Sequence, residues 1–371
     1  MPHDCTTRLE GANVVAKVQE KAVVEAVDLF CGAGGLTYGL RSAGIKVVAG
    51  IDSDPACAYP FGHNNGAEFI EADIREVTGA AIARLYSGGA IRLLAGCAPC
   101  TPFSPYRRGG VKRTREWSLL SEFARLVGIV KPELVTMENV PDLASKNVLK
   151  QFVKSLENAR YHVDVKSVYC PRFGIPQHRR RLVLMASRIG EVAVPLGSIE
   201  PEEYRTVEDA IRSLTRIDAG GSDPKDRLHR ARTMTEINLR RLRASKPGGT
   251  WRDWPLELRA PCHRKSSGAT YQSVYARMKW DQPSPTITTE AHSFGSGRFG
   301  HPEQDRPISL REAAILQTFP RNYRFVGRKD KVYFSTLGRL IGNAVPPKLA
   351  RTIGAELLKV AATHQAKAIA R

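Results

Sequence analysis

No run of apolar residues in this sequence is long enough to span a bilayer, which argues against a membrane-crossing helix. The first residues contain no apolar core of the secretory type, so no export signal is expected. Cysteine is sparse and scattered: Cys5, Cys31, Cys57, Cys97, Cys100, Cys170 and Cys262. An odd count without regular spacing argues against a disulfide framework and for a reducing, cytoplasmic setting. Cys97-x-x-Cys100 has no second cysteine pair or histidine pair at metal-ligand spacing, so no metal site is expected. A redox role for that pair would need a thioredoxin-like context, of which only the preceding strand is present. The chain has no internal repeat and no long low-complexity tract. It is also short of negative charge, with 37 Asp and Glu against 56 Lys and Arg and a formal net charge of +19. Such a surplus favours a polyanionic partner, most often nucleic acid, over the plainer alternative of a generally basic protein.

What is present suits a globular enzyme. The 371 residues are 42% hydrophobic and 25% charged, enough for one large or two modest domains. In the first half, strand-like and helix-like segments alternate. Strands are expected at Val23 to Phe30, Val47 to Ile51, Ile91 to Ala95 and Leu134 to Met137, with paired late strands at Tyr161 to Tyr169 and Leu182 to Ala186. Helices are expected through Leu36, Leu40 and Ala43, from Trp117 to Val130, and from Val148 to Leu156. This alternation predicts an α/β fold with a doubly wound, mostly parallel sheet, whose functional residues sit at the strands' carboxyl ends. From about Pro195 the texture becomes irregular and rich in Arg, Gly and Pro. Ten cations from Arg227 to Arg264 are interleaved with Trp251, Trp254, Tyr271 and Tyr275. That mixture suits a nucleic-acid surface, or a solvated, loop-rich insert. Order returns with Ser309-Leu310-Arg311-Glu312, a capping box opening a helix through Gln317. Gly342-Asn343-Ala344-Val345-Pro346-Pro347 then leads into a last helix, with proline where a first turn tolerates it.

Four motifs carry chemistry. Asp28-Leu29-Phe30-Cys31-Gly32-Ala33-Gly34-Gly35 is a strand–glycine–helix loop of the nucleotide-cofactor type, although Thr37 stands where a dinucleotide loop has its third glycine. Asp52, twenty residues after Gly32, can bind ribose hydroxyls of either NAD or S-adenosyl-L-methionine. Asp73 could accept from an adenine amino group, or be an ordinary surface or capping carboxylate. Gly96-Cys97-Ala98-Pro99-Cys100-Thr101-Pro102 places the Cys100 thiol on a stiff turn at a strand's end, suited to nucleophilic attack, with Cys97 incidental. Glu138 ends a short apolar strand in Met137-Glu138-Asn139-Val140-Pro141. Poor solvation there favours a carboxyl that holds its proton near neutrality; a structural carboxylate bonded to backbone is the alternative. Gln177-His178-Arg179-Arg180-Arg181 precedes another strand, where period-two alternation puts Gln177, Arg179 and Arg181 on one face. Two guanidiniums so placed can bind a carboxylate, a carbonyl or a phosphate, or simply form a basic strand edge.

In this order and together, the motifs resemble the C5-cytosine DNA methyltransferase family over most of the chain. The resemblance implies a class I methyltransferase (Rossmann-like) fold with a smaller target-recognition domain. Residues 1–195 with 335–371 would form the catalytic part and 196–334 the recognition part, with duplex DNA between them. It implies S-adenosyl-L-methionine held by Phe30, Gly32, Gly34, Gly35, Asp52, Asp73, Ile74, Pro99 and Leu119, with Asn343 and Val345 closing the pocket. The final helix would return to pack beside the first strand. Cys100 would add to C6 of a flipped cytosine, Glu138 would meet N3, and Arg181, with Arg179 behind it, would orient Glu138 or bond O2. The basic segment Ser104 to Glu116 would close over the DNA. Thr101, Ala98 and Asp52 depart from the family's usual Gln, Pro and Glu. The expected enzyme is a monomer serving restriction–modification or acting as an orphan methylase. Rival readings are an RNA (tRNA) cytosine methyltransferase, an NAD-dependent oxidoreductase and a non-catalytic DNA-binding relative.

Overall fold

The computed structural model describes residues 23–99, 117–265 and 274–370. Its centre is a seven-stranded sheet: β1 (Val24–Leu29), β2 (Lys46–Asp52), β3 (Glu68–Glu71), β4 (Ile91–Gly96), β5 (Leu134–Asn139), β6 (His162–Tyr169) and β7 (Arg180–Ser187). Across the sheet the order is β3-β2-β1-β4-β5-β7-β6. Pairs from β3 through β5 are parallel, and β7 runs antiparallel to both β5 and β6. The doubly wound expectation holds. β1 and β5 are buried along their whole length, as central strands covered on both faces should be.

Helices cover both faces. On one, the helices Trp117–Val130 and Asn147–Asn158 supply Phe123, Leu126, Phe152 and Leu156 to a core with Val27, Leu94 and Val135. On the other, α1 (Gly35–Ala43) packs beside the final helix, Pro347–Ile369. Leu36 and Leu40 meet Leu349, Ile353 and Leu357 over Val24 and Ala26. The last helix therefore returns to the first strand, with Pro347 in its first turn.

Several short elements escaped the sequence reading, two of them beside the glycine loop's strands. One is β3, four residues of mixed exposure; the other is the helix Ala58–Asn65, which lacks a clear apolar stripe. The helix Leu310–Leu316 does open on the expected capping box: Glu312 N donates to Ser309 Oγ (3.0 Å) and Ser309 N donates to Glu312 Oε2 (2.6 Å). Glu312 also takes a buried, bidentate Arg306 at 2.7 and 2.8 Å. Burial alone would raise the Glu312 pKa, but Arg306 outweighs it and holds the carboxyl at about 2.

In the irregular region, Trp251 and Trp254 are 3% and 2% exposed and form a small core with Leu242, Leu258 and Phe294. This corrects their expected place on a nucleic-acid surface: large aromatics gain more from mutual burial than from solvent exposure. Tyr271 lies outside the described residues. Several of the nearby cations serve the module itself. Arg241 and Arg252 lie over the rings of Trp254 and Trp251, and Arg259 and Arg264 donate to loop carbonyls. Among the described residues no helix is long and apolar enough to cross a membrane.

Candidate active site

Several of the described candidate residues gather at one edge of the sheet, with Cys97 beside them. Phe30 follows β1, Asp52 ends β2, Cys97 follows β4, and Glu138 sits near the end of β5. Because β7 runs the other way, Arg181 near its start reaches the same edge.

The glycine loop is built by backbone strain and close approach. Phe30 has φ +57°, an uncommon conformation for a bulky residue. Gly34 has φ +86°, and a Cβ there would meet Asn65 Nδ2 at 2.3 Å. A Cβ on Gly35 would meet the Val345 carbonyl at 2.4 Å, so the segment before the last helix lies directly on the loop. By contrast, apart from its own chain neighbours, no atom of the described residues stands within 4 Å of where a Cβ on Gly32 would be. That open side, at the carboxyl end of β1, is a cradle a nucleoside-bearing cofactor fits. Tyr323 forms the loop's floor, donating its hydroxyl to the Ala33 carbonyl and accepting from Asn65 Nδ2 at 3.2 Å.

Asp52 is half-buried between β2 and the loop. Its Oδ2 accepts from Gly32 N (2.9 Å) and its Oδ1 from Asp54 N (3.0 Å). Burial raises its pKa, against these two amide bonds. The carboxylate thus braces the loop. Asp73 accepts from the backbone N (3.0 Å) and Nε (2.9 Å) of Arg75, whose side chain holds it at about 2. Ile74 and Val345 are buried, Phe30 and Leu119 are partly buried, and Pro99 and Asn343 are exposed.

Beneath the loop, Asp28 is fully buried. Its Oδ2 accepts from Thr37 Oγ1 at 2.6 Å, and its Oδ1 has no partner among the described residues. Burial, reinforced by the charge of Asp52, pushes its pKa up to about 7. Thr37, which departs from the dinucleotide pattern, is therefore the partner that Asp28 requires. With the folded pKa above the ordinary carboxyl value, the folded state binds the extra proton between about pH 4 and 7. Stability should fall as pH rises through that window, by up to about 4 kcal/mol from this group. Asp28→Asn should flatten the fall, as read from denaturant midpoints at pH 5 and pH 8.

At the reacting end, Arg181 Nε lies 2.9 Å from Glu138 Oε1, and Glu138 is 3% exposed. The pair is close, but its N–H is not aligned, and Oε1 accepts no hydrogen bond among the described residues. Cys97 Sγ donates to Glu138 Oε2 at 3.0 Å, a contact the sequence reading missed by treating Cys97 as incidental. Asn139 Nδ2 donates to the Ala98 carbonyl at 3.1 Å, pinning the turn that leads to Cys100. Cys100, Thr101 and the segment Ser104 to Glu116 lie outside the described residues.

Arg179 differs from expectation. Rather than standing behind Arg181 toward a substrate, its buried guanidinium donates to the carbonyls of Ile287 (3.1 Å), Gly342 (3.3 Å) and Ala344 (3.4 Å). Gln177 and Gln317 complete the knot: Gln177 Nε2 donates to Gln317 Oε1 (2.9 Å) and Gln317 Nε2 to the Ile341 carbonyl (2.8 Å). Burial, with repulsion from Arg181, pulls the Arg179 pKa down to about 9. The physical reason is the supply of unpaired carbonyls where the Asn343 helix ends. Arg179→Ala should cost about 2–4 kcal/mol of stability by removing the buried guanidinium's bonds, leaving Gly342 and Ala344 only the long contacts from Gln317 Nε2, measurable as a lowered urea midpoint.

Known proteins match this arrangement. A family model for C-5 cytosine-specific DNA methylases matches residues 24–359. The type II methylase M.HgiDII of Herpetosiphon aurantiacus is 50% identical over 330 residues, spanning 88% of this chain and 93% of its own. The type II methyltransferase M.PspPI of Psychrobacter sp. (strain TA137) is 32% identical, over 90% of this chain and 79% of its own. In fold, a DNA modification methyltransferase encoded within an E. coli prophage superposes with a TM-score of 0.69 at 21% identity, covering 91% of this chain and 99% of that one. The S. pombe Dnmt2 methyltransferase follows at 0.62 and 19% identity, covering 90% and 98%. With its sheet order, glycine loop and Glu138–Arg181 pair in place, the chain belongs to the C-5 cytosine-specific DNA methylase family.

Proposed function

We propose that this enzyme methylates C5 of a cytosine rotated out of a specific duplex DNA site, using S-adenosyl-L-methionine and a transient bond from Cys100 to C6. The observation that carries the reading is the Glu138–Arg181 pair beside the turn that leads into Cys100. Cytosine C5 is a weak carbon nucleophile. Addition of the Cys100 thiolate at C6 breaks the C5–C6 double bond and moves its electron pair toward C5 and N3. Glu138 meets the developing charge at N3 with a hydrogen bond or a proton, and Arg181 orients the carboxyl or bonds O2. The bound donor supplies an electrophilic methyl on a sulfonium. C5 takes that methyl as the S–CH3 bond breaks and its electrons stay on the departing neutral thioether; a base then takes the C5 proton, and the electrons of the C–H bond restore the C5–C6 double bond as the Cys100 sulfur leaves C6 as thiolate.

The donor is assigned to the cradle of Phe30, Gly32, Gly34 and Gly35, with Asp52, Asp73 and Ile74 on the nucleoside side. Pro99, Leu119, Asn343 and Val345 complete it. Arg179 acts as a positioning residue for the Asn343–Val345 segment, not as a group that touches substrate. Residues 1–195 with 335–371 make the catalytic part, and 196–334 hold target recognition. Residues 310–325 of that span also buttress the glycine loop through Phe319 and Tyr323. The enzyme acts as a monomer in the cytoplasm, at the nucleoid, as the modifying partner of a type II restriction system. Rotating a base out costs a few kcal/mol, which phosphate contacts from the basic surface offset.

Bisulfite sequencing of DNA from cells expressing the protein tests the reading. Methylated cytosines confined to one sequence context are expected. Exclusively exocyclic-nitrogen methylation, or transfer only to a matched RNA, would overturn it.

A further inference from the structure

The parallel register of β4 and β5 continues past the strands' ends. Gly96 stands opposite Met137, so Cys97 comes to face Glu138 and Ala98 to face Asn139. Both steps are bridged: Asn139 Nδ2 donates to the Ala98 carbonyl, and the Cys97 thiol donates to Glu138 Oε2. The two oxygens of the Glu138 carboxyl are thereby treated differently. Oε2 is held by the thiol at 3.0 Å. Oε1 has the charge of Arg181 close by but accepts no aligned hydrogen bond among the described residues, although Glu138 is almost wholly buried. A buried acceptor left unfilled in an active site is available to a substrate.

We propose that Cys97 is a positioning residue for Glu138: its thiol fixes Oε2, so that the open lone pair of Oε1 meets the target base. The terminal torsion of a glutamate is broad and has no strong rotamer wells, so backbone and χ1 alone do not set the plane of the carboxyl. A misaligned ion pair restrains it only weakly. The hydrogen bond at the second oxygen supplies the missing constraint, and the strand register puts the donor there. Cys97 forms no bond to substrate and takes no part in proton transfer.

This inference rests on the assignment of Glu138 to N3, and the test separates the two. Single-turnover methyl transfer and DNA affinity are measured for wild type, Cys97→Ala, Cys97→Ser, Glu138→Gln and the double variant Cys97→Ala/Glu138→Gln. Loss of alignment should remove part of the catalytic factor a placed acid supplies, so Cys97→Ala should slow transfer about 10-fold with DNA Kd unchanged. Cys97→Ser keeps a donor and should recover to within about threefold of wild type. Because Cys97 acts through Glu138, the double variant should be no slower than Glu138→Gln alone. A wild-type rate in Cys97→Ala, no rescue by Ser, or independent, multiplicative losses in the double variant would each overturn the role of Cys97. A wild-type rate in Glu138→Gln would instead overturn the reading of Glu138.

Discussion

Cys100→Ser is expected to lower single-turnover methyl transfer by at least ~10⁴-fold while leaving DNA affinity within about threefold. A free thiol titrates near pH 8.5, so a useful thiolate fraction exists at neutrality; a serine hydroxyl has no comparable ionised fraction without a base beside it. Addition at C6 is the step that makes C5 reactive, so its loss is not compensated elsewhere. Two thiols lie three residues apart in this turn, and the experiment must say which one reacts. Duplex carrying 5-fluorocytosine at the target decides it. Fluorine cannot leave as a proton does, so wild type with the donor should form a covalent complex that survives denaturation, and Cys100→Ser should form none. Trapping by Cys100→Ser at the wild-type level would transfer the nucleophile's role to another residue. Cys97 would then be the first candidate, because it borders the same carboxyl.

Glu138→Gln should reduce methyl transfer by about 10²–10³-fold, the range associated with one positioned acid. The amide matches the carboxylate in volume and can still donate to a carbonyl or accept from the Cys97 thiol. What it cannot do is carry a transferable proton to N3 or neutralise Arg181. The Arg181 side chain is 14% exposed, so its unpaired charge should also cost some stability. The substitution therefore needs two readouts: transfer rate at saturating DNA, and the urea midpoint. A rate loss that tracks unfolding would assign Glu138 a structural role only. A rate loss in a fully folded protein supports the catalytic one.

Much of the architecture was legible because buried parallel strands announce themselves. Val24–Leu29, Ile91–Gly96 and Leu134–Asn139 are short, largely apolar runs, and the structure lays them side by side at the centre of the sheet. The strand Glu68–Glu71 gave no such signal, since it is short and both terminal glutamates are exposed. The place of Glu138, buried near the end of an apolar strand, was legible from that strand's pattern. Site chemistry was not legible where tertiary partners decide. Arg179 and Arg181 have the same spacing pattern, yet one is drawn to distant carbonyls and the other to Glu138. Trp251 and Trp254 read as a surface beside so many cations, and only the packing shows that they are a core. Cys97 could have been noticed from strand register, but register is fixed by pairing and not by local sequence.

The pairing of the glycine-loop helix with the final helix has a consequence for how the molecule assembles. Leu36 and Leu40 are covered by residues more than 300 positions later, and the Ala33 carbonyl is capped by a hydroxyl 290 positions away. Neither contact can form on a ribosome until residues 290 or more positions downstream have emerged. The glycine loop is thus among the later parts to become rigid, and such long loop closures slow folding. An interrupted or truncated polypeptide would carry the sheet but not a finished pocket, so methylation competence should arrive as a single late event instead of growing with chain length.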